Sequence, residues 1–229
     1  NQKNLMLKIN IGSASCTLPI VLPATPYVLT ESLGATIVPG TNDVGMHDQY
    51  YGGMYLDLPF AYNFGGQSFT RVFVNGNGLL QFSSQDLYNS YGDFPVAYWA
   101  NFIAVHWEML RLDLPGNGVF TSVSGTAPNR IFNIEWRAVR YNNTNDSVNC
   151  EARLYESGPR VDLIYGTIGN KGAAVTVGLQ VNPNSYVEYS RRQPVLTNGL
   201  QLSFVLTTNS SPVPSANFIA SPDSGWLPL

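Results

Sequence analysis

Few side chains in this sequence have the chemistry to act on a substrate. Its 229 residues include two histidines, His47 and His106, and two cysteines, Cys16 and Cys150. Nucleophilic catalysis needs a base beside the nucleophile and a group that orients the base. No G-x-S-x-G or related pattern supplies that arrangement, so a loop histidine and a strand histidine read as structural. Metal ligation by histidine or cysteine needs paired spacing of the His-x-x-x-His or Cys-x-x-Cys kind, and neither occurs. Asp43 with Asp48, or Asp113 with Asn117, carry the oxygens that calcium takes, but no EF-hand pattern surrounds them and Asx-turns account for them as well. The expectation is a non-enzyme without cofactor or resident metal. Cys16 and Cys150 leave two readings. An even count in a secreted chain fits a disulfide. Cys150 also sits among Val148, Ala152 and Leu154 on an inward strand face, where a free thiol behaves as a small hydrophobe.

Two other groups carry contact chemistry. Tyr88, Tyr91, Phe94, Tyr98 and Trp99 cluster in one irregular stretch, with Tyr50, Tyr51 and Tyr55 earlier in the sequence. Such rings stack on sugars or form a protein contact patch, with Tyr88, Tyr91 and Trp99 as the candidate contacts. They serve equally to pin a long loop onto the sandwich. At the N-terminus, Leu5, Leu7, Ile9 and Ile11 share one face, with Lys8 and Asn10 on the other. A strand of this kind needs a sheet to complete. It finds one within its own domain or, by strand exchange, in a neighbouring copy. The Pro-rich segment behind it (Pro19, Pro23, Pro26) is too poor in donors for a central strand and reads as a spacer.

Composition narrows the setting. Only 12% of residues are charged, about half the usual share of a globular protein. Asn, Ser, Thr, Gly and Tyr supply the polarity, which fits an extracellular or cell-surface protein. The net charge of −3 argues against nucleic acid, since phosphate binding needs clustered Lys and Arg. No apolar run approaches the ~20 residues that span a bilayer. The first residue is Asn1, which reads as a processed or trimmed start.

The elements that must position these residues are strands. From Arg71 to Leu206 short apolar-alternating segments follow one another, broken by Gly, Pro and Asn, with no long helical stripe. Phe132, Ile134, Trp136 and Ala138 point one way; Asn133, Glu135 and Arg137 point the other. Asn75-Gly76-Asn77-Gly78 marks a tight hairpin before Leu79 to Phe82. Strand character is also expected over Tyr27 to Val38, Met54 to Leu58 and Ala61 to Phe64, with a turn at Asn142 to Asp146 and one short helix within Gln85 to Trp99. One wet and one buried face per strand predicts an all-β fold, a large antiparallel β-sandwich with jelly-roll or immunoglobulin-like layering. Residues 1–26 form an extended N-terminal strand and Pro-rich segment, 27–207 the sandwich, and 208–229 a Ser/Pro linker and tail strand.

Several stretches occur in a familiar order. They are G-A-T-I-V-P-G-T-N-D-V-G at Gly34 to Gly45, L-P-F-A-Y-N-F-G-G-Q-S-F-T at Leu58 to Thr70, and V-N-G-N-G-L-L-Q-F at Val74 to Phe82. G-T-A-P-N-R-I-F-N-I-E-W-R-A-V at Gly125 to Val139 and A-R-L-Y-E at Ala152 to Glu156 follow. Over residues 27–207 these resemble the β-sandwich modules of secreted bacterial surface proteins, distantly like the nidogen-type extracellular domain. The tail from Ser215 to Leu229 resembles the opening strand of a PKD-type immunoglobulin-like repeat. The resemblance implies an extracellular, non-catalytic role and names no ligand. Where relatives read P-Y-W-D-D-L, Val105 to Leu110 reads V-H-W-E-M-L, so the acidic pair is reduced to Glu108. The function expected is that of an extracellular structural or adhesive protein, a filament subunit built by strand exchange between copies. The alternative is a monomeric surface module that binds glycans through its tyrosine-rich loops.

Overall fold

A computed structural model describes residues 5–11, 14–20, 27–49, 51–87 and 91–207, the first two ranges for their backbone alone. Among these residues every regular element is a strand. In chain order they are β1 (Leu5–Ile11), β2 (Ala14–Ile20), β3 (Tyr27–Ser32), β4 (Asn42–Asp43), β5 (Gly53–Phe64), β6 (Gln67–Asn75), β7 (Leu79–Gln81) and β8 (Phe102–Trp107). Then come β9 (Leu110–Arg111), β10 (Gly118–Ser124), β11 (Ile131–Arg140), β12 (Asn143–Tyr155), β13 (Arg160–Ile168), β14 (Thr176–Asn182), β15 (Ser185–Arg191) and β16 (Gln201–Leu206).

The first large sheet runs β3-β16-β13-β12-β11-β10-β4, with β9 also on β11; the second runs β15-β14-β8-β7-β6-β5. All pairings are antiparallel. The expected all-β sandwich is therefore present. Its core forms where the inward halves of the alternating strands meet. Ile134 and Trp136 of β11, Cys150 and Ala152 of β12, and Leu163 and Tyr165 of β13 join Val72 and Val74 of β6 and Ile103 and Val105 of β8. The polar tips of buried aromatics bond across this layer. Trp136 Nε1 donates to the Asn75 carbonyl at 3.2 Å, and Tyr165 Oη to the Val105 carbonyl at 2.7 Å. Buried Trp and Tyr need such partners.

The outward face of the first sheet is crossed by a strap. Strand character was expected to Val38, yet β3 ends at Ser32 and residues 33–41 run irregularly from one edge strand, β3, to the other, β4. Glutamates from distant strands hold it. The Val38 N–H donates to Glu151 Oε2 at 3.1 Å and the Gly40 N–H to Glu135 Oε2 at 2.8 Å. Arg153 and Arg137 donate in turn to the Thr36 and Gly40 carbonyls. Each arginine also pairs with the glutamate two residues before it. Burial pushes the Glu151 carboxyl up, against the pull of Arg153. Burial acts on Glu135 too, but hydrogen bonds from Arg137, Gly40 and Asn149 hold that carboxyl below its usual range.

Other local expectations change for physical reasons. Gly53–Phe64 is one strand whose register shifts between Asp57 and Tyr62, and Pro59 is tolerated because β5 is an edge strand. Pro19 lies in β2, which has a single neighbour, β1. The β11–β12 connection is tighter than the Asn142 to Asp146 turn, with Arg140 already opposite Asn143. No helix occurs among the described parts of Gln85 to Trp99.

Candidate functional site

Residues 91–101, in the reach between β7 and β8, carry part of the aromatic stretch and lie over the outward face of the second sheet. What draws it there is a change of phase in β8. Phe102 and Ala104 face outward, Ile103 and Val105 inward. The Val105 and His106 N–H groups then both donate to the Gly78 carbonyl, at 2.9 and 3.1 Å. This bulge, also seen as a register shift against β14, returns Trp107 to the outward side. Gly78 is held at φ +75°, and a Cβ there would lie 2.3 Å from the His106 carbonyl oxygen. The Asn-Gly turn thus makes the bulge possible.

Leu79, Phe102, Ala104 and Trp107 form an apolar floor on which Phe94, Val96 and Trp99 of the loop settle. Trp99 stacks on Trp107 with ring centres 5.4 Å apart, and Phe94 on Phe102 at 5.3 Å. Polar clamps add to the rings. Buried Gln180 of β14 accepts from the Val96 N–H at 2.9 Å and donates to the Val96 and Trp99 carbonyls at 2.8 and 2.7 Å. Thr176 donates to the Gly92 carbonyl and Arg191 to the Phe94 carbonyl. Arg192 pairs with Asp93.

Gly92 presses closely on the floor, since a Cβ there would meet Trp107 Cη2 at 2.1 Å. Gly92→Ala should destabilise the domain by ~1–3 kcal/mol through overpacking. Urea titration followed by tryptophan fluorescence would measure it, and an unchanged midpoint would count against this seating.

On this fixed base two rings stand out from the surface. Tyr91 is 68% exposed and Tyr98 75%, while Trp107 beneath is 2% and Trp99 4% exposed. Tyr91, Tyr98, Pro95, Val96 and Trp107 enclose a cleft of about 230 Å³. The arrangement offers π faces, a rigid apolar wall and a charged rim that includes Asp93. Of the candidate contacts, Tyr91 faces solvent, Trp99 is buried under the loop and supports it, and Tyr88 lies outside the described residues. Tyr98 joins Tyr91 through its position in the turn after cis-Pro95, and Trp107 through the bulge.

The remaining candidates are placed as follows. Leu5, Leu7, Ile9 and Ile11 lie on β1, opposite Ile20, Leu18, Cys16 and Ala14 of β2; their side chains are outside the described residues. Cys150 is a free, buried thiol pushed far up by burial, and the Cys16 side chain lies outside the described residues. His47 is held between Asp43 Oδ2 at 3.0 Å and the Asn117 carbonyl at 2.9 Å, and His106 is fully buried. Asp43 accepts from the Gly45 N–H as in an Asx-turn, and Asp113 pairs with Arg111. No group of three or more potential metal ligands occurs among the described residues.

A two-sheet antiparallel sandwich with a strap over one face and an aromatic loop over the other defines the class of domain. Residues 26–219 match the family described as NIDO related, which covers most of the chain, so this protein belongs to the NIDO-related family. The span agrees with the nidogen-like resemblance over residues 27–207, and domains of this family are typically extracellular. No curated protein and no solved structure matches the chain. No helix among the described residues is long and apolar enough to cross a membrane.

Proposed function

We propose that this domain is an extracellular adhesive module, non-catalytic, that binds glycan through the cleft between Tyr91 and Tyr98. The observation that carries this reading is the pair of exposed tyrosines on a loop locked from beneath by Gln180 and stacked tryptophans. Tyrosine supplies large amphipathic contact area at low entropic cost, and a pre-fixed loop avoids the cost of ordering on binding. The apolar C–H face of a sugar ring suits the aromatic face, and its hydroxyls suit a polar rim. His47 is held by Asp43 and the Asn117 carbonyl, and His106 is sealed from solvent, which supports the non-catalytic reading. We place the module on a bacterial surface protein, with residues 215–229 as the start of a PKD-type repeat. A printed glycan array is the test. Tyr91→Ala and Tyr98→Ala should each weaken binding at least tenfold with unchanged circular dichroism. A folded wild type that binds no glycan on the array overturns the proposal.

A second reading, self-assembly by strand exchange, rests on the N-terminal hairpin. β1 and β2 form a sheet of their own and precede the family match at residue 26. Strand addition requires an open sheet edge, and β5 offers 12 residues of one. Electron microscopy of native material should then show fibres that vanish on deleting Asn1 to Gly12. Dispersed particles from the full chain would remove this reading and leave the first intact.

A further inference from the structure

The cleft does not end at Tyr91. The same residue lines a second chamber of about 320 Å³, together with Glu108, Arg140, Tyr141 and Arg192. Small-ligand sites usually occupy ~300–1,000 Å³. The first chamber alone falls below that range, and the second, on the other side of Tyr91, lies within it. Tyr98 and Tyr91 line the first chamber and Tyr91 and Tyr141 the second, each ring at least 36% exposed, which suits a ligand longer than one ring.

The charge of the second chamber is already matched. Arg192 contacts Asp93 at 2.8 and 3.2 Å. Arg140 contacts Glu108 Oε1 at 2.7 and 2.6 Å and Asp146 at 3.0 Å. An anionic ligand would have to displace one of these carboxylates, and a cationic one would have to displace a guanidinium.

We propose that the two chambers that meet at Tyr91 hold one uncharged oligosaccharide of two or more units, laid across Tyr91 with one unit beside Tyr141. This rests on the glycan reading of the cleft and specifies its ligand. The test uses the full chain on an array that pairs neutral oligosaccharides of one to six units with their sialylated and sulfated counterparts. Calorimetry on the strongest ligand and on its single sugar unit follows. Neutral ligands of two or more units should bind at least tenfold more tightly than the single unit and than the acidic counterparts. Tyr141→Ala should lose about tenfold for the longer ligand and leave the single unit unchanged. Preference for an acidic counterpart, or equal affinity for one unit and for two, overturns this inference while the glycan site stands. Absence of any glycan binding overturns both.

Discussion

Gln180→Leu is expected to release the aromatic loop and abolish ligand binding while the two sheets remain folded. The replacement keeps the side-chain volume and removes all three hydrogen bonds that Gln180 makes to Val96 and Trp99. The buried Val96 N–H and Trp99 carbonyl are then unpaired, at ~1–3 kcal/mol each, and the Val96 carbonyl keeps only a long bond from the Trp99 N–H at 3.4 Å. The loop can regain water for them only by lifting from Phe102 and Trp107, which forfeits the stacking of Phe94 and Trp99. Hydrogen exchange should therefore rise sharply over residues 92–99 and stay low in β11 to β13. Tyr91 and Tyr98, untouched by the substitution, would no longer share a fixed cleft. Retained protection over residues 92–99 would show that the rings alone hold the loop.

The second large effect is a loss of stability on mild acidification, traced to His106. The ring is fully buried, neither nitrogen has a hydrogen-bond partner, and burial lowers its pKa to about 4, with the Arg140 charge acting in the same direction. In the unfolded chain the value is ~6.5. Between these values the unfolded chain binds a proton that the folded one refuses, so stability falls as pH drops from 6.5 to about 4. At ~1.4 kcal/mol per unit this amounts to about 3 kcal/mol, a large part of a typical domain's stability. Glu151, raised by burial, works in the opposite sense near the carboxylate range. Glu156, held at about 2 by Arg130, adds a loss only below its unfolded value of 4.5. His106→Leu removes the histidine contribution alone. Urea titrations at pH 7, 5.5 and 4 should show a clearly shallower decline in the variant. Parallel declines would assign the acid sensitivity elsewhere.

The alternation of β11 to β13 made the sandwich readable, because apolar residues recur at every second position there, although Glu135, Glu151 and Asp162 on the polar face are themselves buried. Three features escaped that signal. The strap over residues 33–41 contains Ile37 and Val38 and reads as strand, yet it is fixed by Glu135 and Glu151, about a hundred residues away. Trp107 would fall inward in an unbroken period; the bulge at Val105 and His106, imposed by the close approach of Gly78, turns it outward. Gln180 is one polar residue among Val177, Leu179 and Val181, with nothing in its own strand to mark it. An amide on a face where Phe102 and Ala104 are apolar was the available sign that a loop would cover it. The aromatic cluster itself was legible. Its division into buried Trp99 and exposed Tyr91 was not, since it depends on which rings meet the floor.

The strands that carry the chain into and out of the domain are neighbours, with Tyr27 of β3 directly opposite Leu206 of β16. Chain on either side of these residues therefore departs from the same end of the sandwich. Tension applied between the two points would not shear the sheet. It would peel β3 from β16 one pair at a time, because antiparallel ladder bonds lie across the strands and the leading pair takes the load first. Peeling then reaches the strap, where Arg153, Glu151 and Glu135 form a stop of a different kind. Such tension would release β3 before it loads the strap, and would leave the sheet that seats the tyrosine cleft closed.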